Sequence, residues 1–317
     1  MDLCITHNSR PMDFPRCSLN FLTRRYTAPD RLRNLPPLES LRDAGDAGYI
    51  GNVTVWDLGQ DPTAQPRLRS FIQRSYKAQH AIFLDAERLL ICGTEHLEMC
   101  DLRGRELGRM SDPWFAGGHT VCACGEGRVA VTCSAPDALL IFDLASGRAD
   151  ALRIPSPFYG HNYDLLREDD LHAHYIVNDL QRTHINGAVP VGDGFLISML
   201  IPGAIGHLRR DGSYRELITG FVGCHGVRTR PDRDGFYFAD SCTGTLVEVD
   251  AHGRIRRRFS VASRWLHDCE WVSGDLYLFC LSDANTAELW DVASGERVWA
   301  LAMGDYGVNT QFSSVAR

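Results

Sequence analysis

The sequence predicts an all-β fold, a six-bladed β-propeller closed by its own termini. Three observations predict it. A unit of four short strands recurs along the chain, Gly and Asp mark its reversals, and a histidine opens most copies. The clearest copy is CHGVRTRPDRDGFYFADSCTGTLVEVDAHGRIRRRF, residues 224–259. Its β-branched and aromatic runs are separated by Pro-Asp-Arg-Asp-Gly, Thr-Gly and His-Gly turns, which is what an antiparallel meander needs.

Taken in order, residues 1–40 carry Pro11, Pro15, Pro29, Pro36 and Pro37 among arginines with little periodicity. That composition predicts an N-terminal arm, and the propeller domain then spans 41–317. VTVWDLG (53–59) and RLRSFIQ (67–73) match the third and fourth strands of a blade that lacks its opening. The missing piece is expected from GVNTQFSSVAR at the other end, which would close the ring and remove its open edges. Second strands follow as RLLICGT, RVAVTCS, GFLISML, GFYFADS and DLYLFCL, and each third strand leads into a Gly turn. Five full blades and one split blade result. A seventh would need residues 155–183 or the arm to supply it.

The histidines keep the same register. His80 to His119 is 39 residues, His184 to His225 is 41 and His225 to His267 is 42, whereas His119 to His184 is 65. The long step leaves an insertion at about 155–183 that holds His161, Glu168, Asp169, Asp170, His172 and His174.

Inner strands of a propeller line its axis at one height. His80, His119, His184, His225 and His267 are therefore expected as a ring at one mouth of the channel. A histidine can also cap its strand by bonding a neighbouring blade. Five in register point instead to metal ligation, since neutral imidazole is the commonest transition-metal ligand. Iron(II) is favoured over zinc or copper because several imidazoles converge. Glu270, with Asp240 and Asp268, is the candidate carboxylate partner, and Asp170 and His172 are candidate acid–base groups above the mouth. Trp56 and Trp290 are expected to pack blades, and Ser198, Ser241 and Ser282 to pack within strands.

These expectations give a metal-dependent enzyme using O2 on a small organic substrate. A zinc-dependent lyase on the same ring and a non-catalytic scaffold for a protein partner are the alternatives; the arm is the segment that would take such a partner. A net charge of -7 argues against nucleic acid. No run of 18 apolar residues is present, so no membrane span is expected. Eleven cysteines cannot all pair internally, and the first residues lack the pattern of a secretory signal, which predicts a cytoplasmic protein with reduced thiols. Cys122 and Cys124 form a C-x-C without a second pair at zinc-finger spacing.

The blade HGVRTRPDRDGFYFADSCTGTLVEVDAHGRI, residues 225–255, resembles those of NHL-repeat and gluconolactonase-like propellers, and VWDL and ELWDVASGERV resemble WD-type strands. In ligand placement the chain is similar to two other propeller families. The carotenoid-cleavage oxygenases hold iron with four inner-strand histidines, and the peptidyl-hydroxyglycine lyases hold zinc with three. The resemblance implies the propeller fold and a histidine-held metal on its axis.

Overall fold

The computed structural model describes residues 1–8, 51–154, 167–173 and 183–306, and the backbone of 309–316. Hydrogen-bonded ladders group the strands into six antiparallel sheets of four. Two blades are β4 (His80–Phe83), β5 (Arg88–Cys92), β6 (Leu97–Asp101), β7 (Glu106–Met110) and β8 (Gly118–Gly125), β9 (Arg128–Cys133), β10 (Ala138–Asp143), β11 (Ala149–Arg153). The next two are β12 (Ile185–Val191), β13 (Gly194–Met199), β14 (Ala204–Arg209), β15 (Tyr214–Thr219) and β16 (Cys224–Arg230), β17 (Arg233–Asp240), β18 (Thr245–Val249), β19 (Ile255–Ser260). A fifth is β20 (Leu266–Ser273), β21 (Leu276–Leu281), β22 (Thr286–Asp291), β23 (Glu296–Ala302).

The sixth blade joins both ends of the chain. Its order is β24 (Asn309–Ala316), β1 (Asp2–Asn8), β2 (Gly51–Asp57), β3 (Arg67–Arg74). The C-terminal strand is innermost, as expected, and 53–59 and 67–73 fall on the third and fourth strands. The second strand corrects the N-terminal arm. Residues 2–8 pair with β24 on one side and β2 on the other, Leu3 against Val315 and Trp56. The alternation in DLCITHN buries Leu3 and Ile5 toward one neighbouring blade and Cys4 toward the other. Residues 9–40 lie outside the described residues.

The core is six wedges, one at each seam between neighbouring blades. Second strands such as GFLISM and LYLFCL are almost wholly buried, because both their faces meet a neighbouring blade. Outer strands are charged and exposed, as in IRRRFS, which protects the sheet edge from pairing with another chain. An aspartate ends the third strand of most blades and ties the following turn to it. Asp101, Asp143, Asp250 and Asp291 each accept backbone N–H groups two to four residues on.

Cysteines behave as small apolar residues. Cys92, Cys133 and Cys280 are buried in their second strands, and the ten described cysteines are all free thiols. Among the described residues, no helix is long and apolar enough to cross a membrane.

Candidate functional site

Each inner strand enters the channel at the same end. The last residue of the second strand marks that end. Gly118 pairs with Cys133, Cys224 with Asp240 and Leu266 with Leu281, so His119, His225 and His267 share one register, each a single residue further along. The ladders of these three blades shift at or just beyond that residue. Such bulges bend a strand locally and re-aim its side chains.

The other two histidines depart from that register. His80 pairs directly with Cys92 in an unshifted ladder, and its Nδ1 accepts the Val121 N–H of the next blade at 3.3 Å. His184 precedes Ile185, the partner of Met199, so Asn186 occupies the position equivalent to His225. Asn186 accepts Ser198 Oγ–H and donates to the Cys224 carbonyl. His184 still reaches the mouth because its backbone is left-handed, at φ 49°. That conformation is strained for a residue with a Cβ. It is held by the buried Asp137 of the β8 blade, whose carboxylate accepts the His184 and Thr183 N–H groups at 2.7 and 3.2 Å.

The mouth thus gathers His119, His184, His225 and His267. The His119 and His184 rings meet edge-on at 4.6 Å and those of His225 and His267 at 5.0 Å. Trp265 packs at 5.5 Å from His225 and 6.0 Å from His267. The Lys77 ammonium lies within electrostatic reach of His119 and His267, a partner that sequence reasoning missed. Its signal was slight: Lys77 enters the mouth three residues before His80, in KAQH. Burial pushes His225 down to about 4 and holds His119 and His267 well below the usual imidazole range, with neighbouring positive charge adding to it for the latter two. These three rings are neutral at physiological pH.

The orienting partners are hydroxyls and a carbonyl, where carboxylates were expected. His225 Nδ1 lies 3.0 Å from the Gly223 carbonyl oxygen and 2.8 Å from Ser241 Oγ. A carbonyl can only accept, so Nδ1 carries the proton and Nε2 the lone pair. His267 Nδ1 lies 3.0 Å from Ser282 Oγ. Ser134, Ser241 and Ser282 each follow the end of a second strand, in the three blades whose histidines share register. That coincidence in the sequence was the signal for them.

The remaining predicted residues lie elsewhere. Glu270 lines the channel below the mouth and accepts from Arg228 Nε at 2.6 Å, and Asp268 takes both ends of the same guanidinium. Asp240 accepts the Val222 N–H at 2.6 Å. Asp170 accepts the His172 backbone N–H, and His172 Nε2–H donates to the Phe115 carbonyl at 3.1 Å. The first bond is a local turn, and the second fastens residues 167–173 to the loop before β8, where Leu171 enters the core. His161 and His174 lie outside the described residues, as does most of the 155–183 insertion.

Beneath the mouth the channel holds a cavity of about 410 Å³. His80, Cys122, Val189, Arg228, Tyr237 and Glu270 are among its walls. Its size suits a small molecule. For a metal ion the fit is incomplete. The neutral, Nδ1-anchored imidazoles are the correct donor type, but among the described residues no three His, Cys, Asp or Glu side chains are grouped closely enough to hold one ion.

No family model and no curated protein matches the sequence. Solved structures share the fold. A chain of the nidogen/laminin complex aligns with a TM-score of 0.60 and 10% identity, over 84% of this chain and 95% of that one. A protein of unknown function from Bacteroides caccae aligns at 0.59 and 13%, over 85% and 96%. A catalytically inactive histidine-to-alanine variant of virginiamycin B lyase from Staphylococcus aureus, in complex with quinupristin, aligns at 0.51 and 13%, over 71% and 69%. At these identities the likeness establishes the propeller architecture, to which both a lyase and a chain of a laminin complex are similar.

Proposed function

We propose that the chain is an enzyme that takes a proton from a small organic substrate and splits it by elimination, with imidazoles of the histidine mouth as bases. The observation that carries this reading is the tautomer of His225. Its Nδ1–H is committed to the Gly223 carbonyl, and its neutral ring keeps the Nε2 lone pair as a proton acceptor.

In this reaction a C–H proton passes to Nε2. The C–H electron pair forms the new double bond, and the leaving group departs with the electrons of the bond that breaks. A depressed pKa makes a weak base, and a bound anion corrects this. Negative charge developing beside the ring draws the imidazolium pKa upward, so base strength arrives with the substrate. Lys77 supplies the opposite charge to that anion. Trp265 keeps one side of the site apolar, which strengthens each of these interactions. A similar propeller is a lyase that loses its activity when one histidine becomes alanine, which supports the assignment.

The iron reading needs the rings to turn from edge-on contact into a common ligand set, and no step here passes through a metal. Mass balance tests the choice. Small-molecule extract is incubated with wild type and with His225→Ala, then compared by mass spectrometry, with elemental analysis of the same untagged protein. Elimination gives His225-dependent products whose masses add up to that of the substrate. Products carrying added oxygen, together with near-stoichiometric iron, would replace this reading with the oxygenase one. No His225-dependent consumption would leave a scaffold for a protein partner.

A further inference from the structure

Away from the histidines, β8 carries two thiols that the reaction does not use. Cys122 and Cys124 are next-but-one neighbours, both half-buried, and both pack into the seam with the β12 blade. Cys122 also forms part of the channel wall. The ladder with β9 shifts between Ala123 and Gly125, at Cys124. There the Cys124 thiol donates to the Cys122 carbonyl at 3.7 Å. Among the described cysteines most others are buried, and Cys242 is the one further half-buried thiol.

We propose that Cys122 and Cys124 together bind one soft, thiophilic monovalent metal ion of the copper(I) or silver(I) type, as a bis-thiolate. A disulfide is the poorer use of the pair. Next-but-one residues of an extended strand have their Cα atoms about 6.6 Å apart, at the long edge of the span of about 4.4–6.8 Å that a disulfide bridges, so a direct bond there would be strained. One bridging ion spans that distance more easily than a direct sulfur–sulfur bond, and thiolates select soft ions over hard ones.

The charge balance favours the same outcome. Binding releases two thiol protons and leaves a complex with one net negative charge. Arg128 and Arg210 lie within electrostatic reach of Cys124, and Arg228, itself paired with Asp268 and Glu270, within reach of Cys122.

The test is anaerobic titration of the full chain with the copper(I) bis-bicinchoninate complex, read as loss of the complex's colour. Wild type should withdraw one equivalent. Cys122→Ser and Cys124→Ser should each lose that equivalent, while Cys242→Ser and His225→Ala keep it. No withdrawal by wild type, or retention by both β8 variants, overturns the site. If a β8 variant fails to fold, X-ray absorption of the wild-type complex decides: two sulfur neighbours support the proposal, and nitrogen ligation overturns it. His225→Ala separates this site from the elimination reading, since either can fail without the other.

Discussion

The β4 blade and the β16 blade are built alike, yet their histidines do different work. In the β4 blade the ladder runs unbroken through His80, whose ring turns sideways to accept a backbone N–H from the next blade. In the β16 blade His225 stands one residue further on, and the ladder shifts beyond it. Its ring then meets that of His267 on the neighbouring blade. One residue of register separates a histidine that ties blades together from one that turns into the histidine mouth. Spacing along the chain does not encode that difference, because both histidines open their strands.

The largest effect should come from the axis-facing side of this comparison. His225→Ala and His267→Ala are expected to lower His225-dependent substrate consumption by about 100- to 10,000-fold, the usual worth of a general base. Both should keep a cooperative melt, because the wedges that hold the fold lie between blades. Consumption unchanged in both would return these residues to the role His80 plays.

Next comes the bulge. Gly226 sits at φ 56°, and a Cβ there would meet Asp268 Oδ1 at 2.2 Å. Gly226→Ala should push Asp268 off Arg228 and cost about 3–5 kcal/mol, the penalty for breaking a buried ion pair. Chemical denaturation measures it. A near-neutral result would show that the register shift tolerates side chains and is not what aims His225.

His80→Ala should do the reverse of His225→Ala. It strands the buried Val121 N–H and should cost about 1–3 kcal/mol of stability, and, as a wall of the cavity and not a base, it should lower consumption far less than His225→Ala does. Lost activity with retained stability would sink the contrast between the two blades.

The smallest effect is a slope. His225 is neutral when folded, down to about 4, but titrates near 6.5 when unfolded. Between those values the unfolded chain binds the extra proton, so stability is full above about 6.5 and falls as pH drops toward about 4. His7, pushed to about 3 by burial, acts in the same direction. Urea midpoints across this window should show His225→Gln flattening the slope by up to about 1.4 kcal/mol per pH unit. An unchanged slope would mean the imidazole is solvated in the folded protein.

Much of the architecture was legible in the sequence because a blade is a local object. Period-two alternation and an Asp-x-x-Gly turn specify a hairpin without reference to the rest of the chain, and RLLICGT or DLYLFCL need no partner to be read as second strands. DLCITHN was harder. Its alternation is equally plain, but its two partners lie at 51–57 and 309–316, and the proline-rich residues after it masked the pattern. At the site, the convergence of His119, His225 and His267 followed from blade geometry. That of His184 required a left-handed backbone, Lys77 was reachable only through contacts between blades, and Ser241 and Ser282 only through their place after the second strand of the histidine's own blade. Glu270 illustrates the limit in the other direction. Three residues after His267 looked near enough to serve it, yet in an extended strand that distance carries the carboxylate down the channel to Arg228.

The way β24 clasps β1 has a consequence for synthesis on the ribosome. Strands β1 to β3 emerge early, but the inner member of their sheet follows roughly 250 residues later, tens of seconds at about 5–20 residues per second. For that interval β1 offers a bare edge, and Leu3 and Ile5 face a seam whose other side, the β20 blade, has yet to emerge. The nascent chain should therefore depend on a chaperone to shield its first blade. Chains truncated before Asn309 should aggregate through this edge, since among the described residues no other strand is left unpaired to cover it.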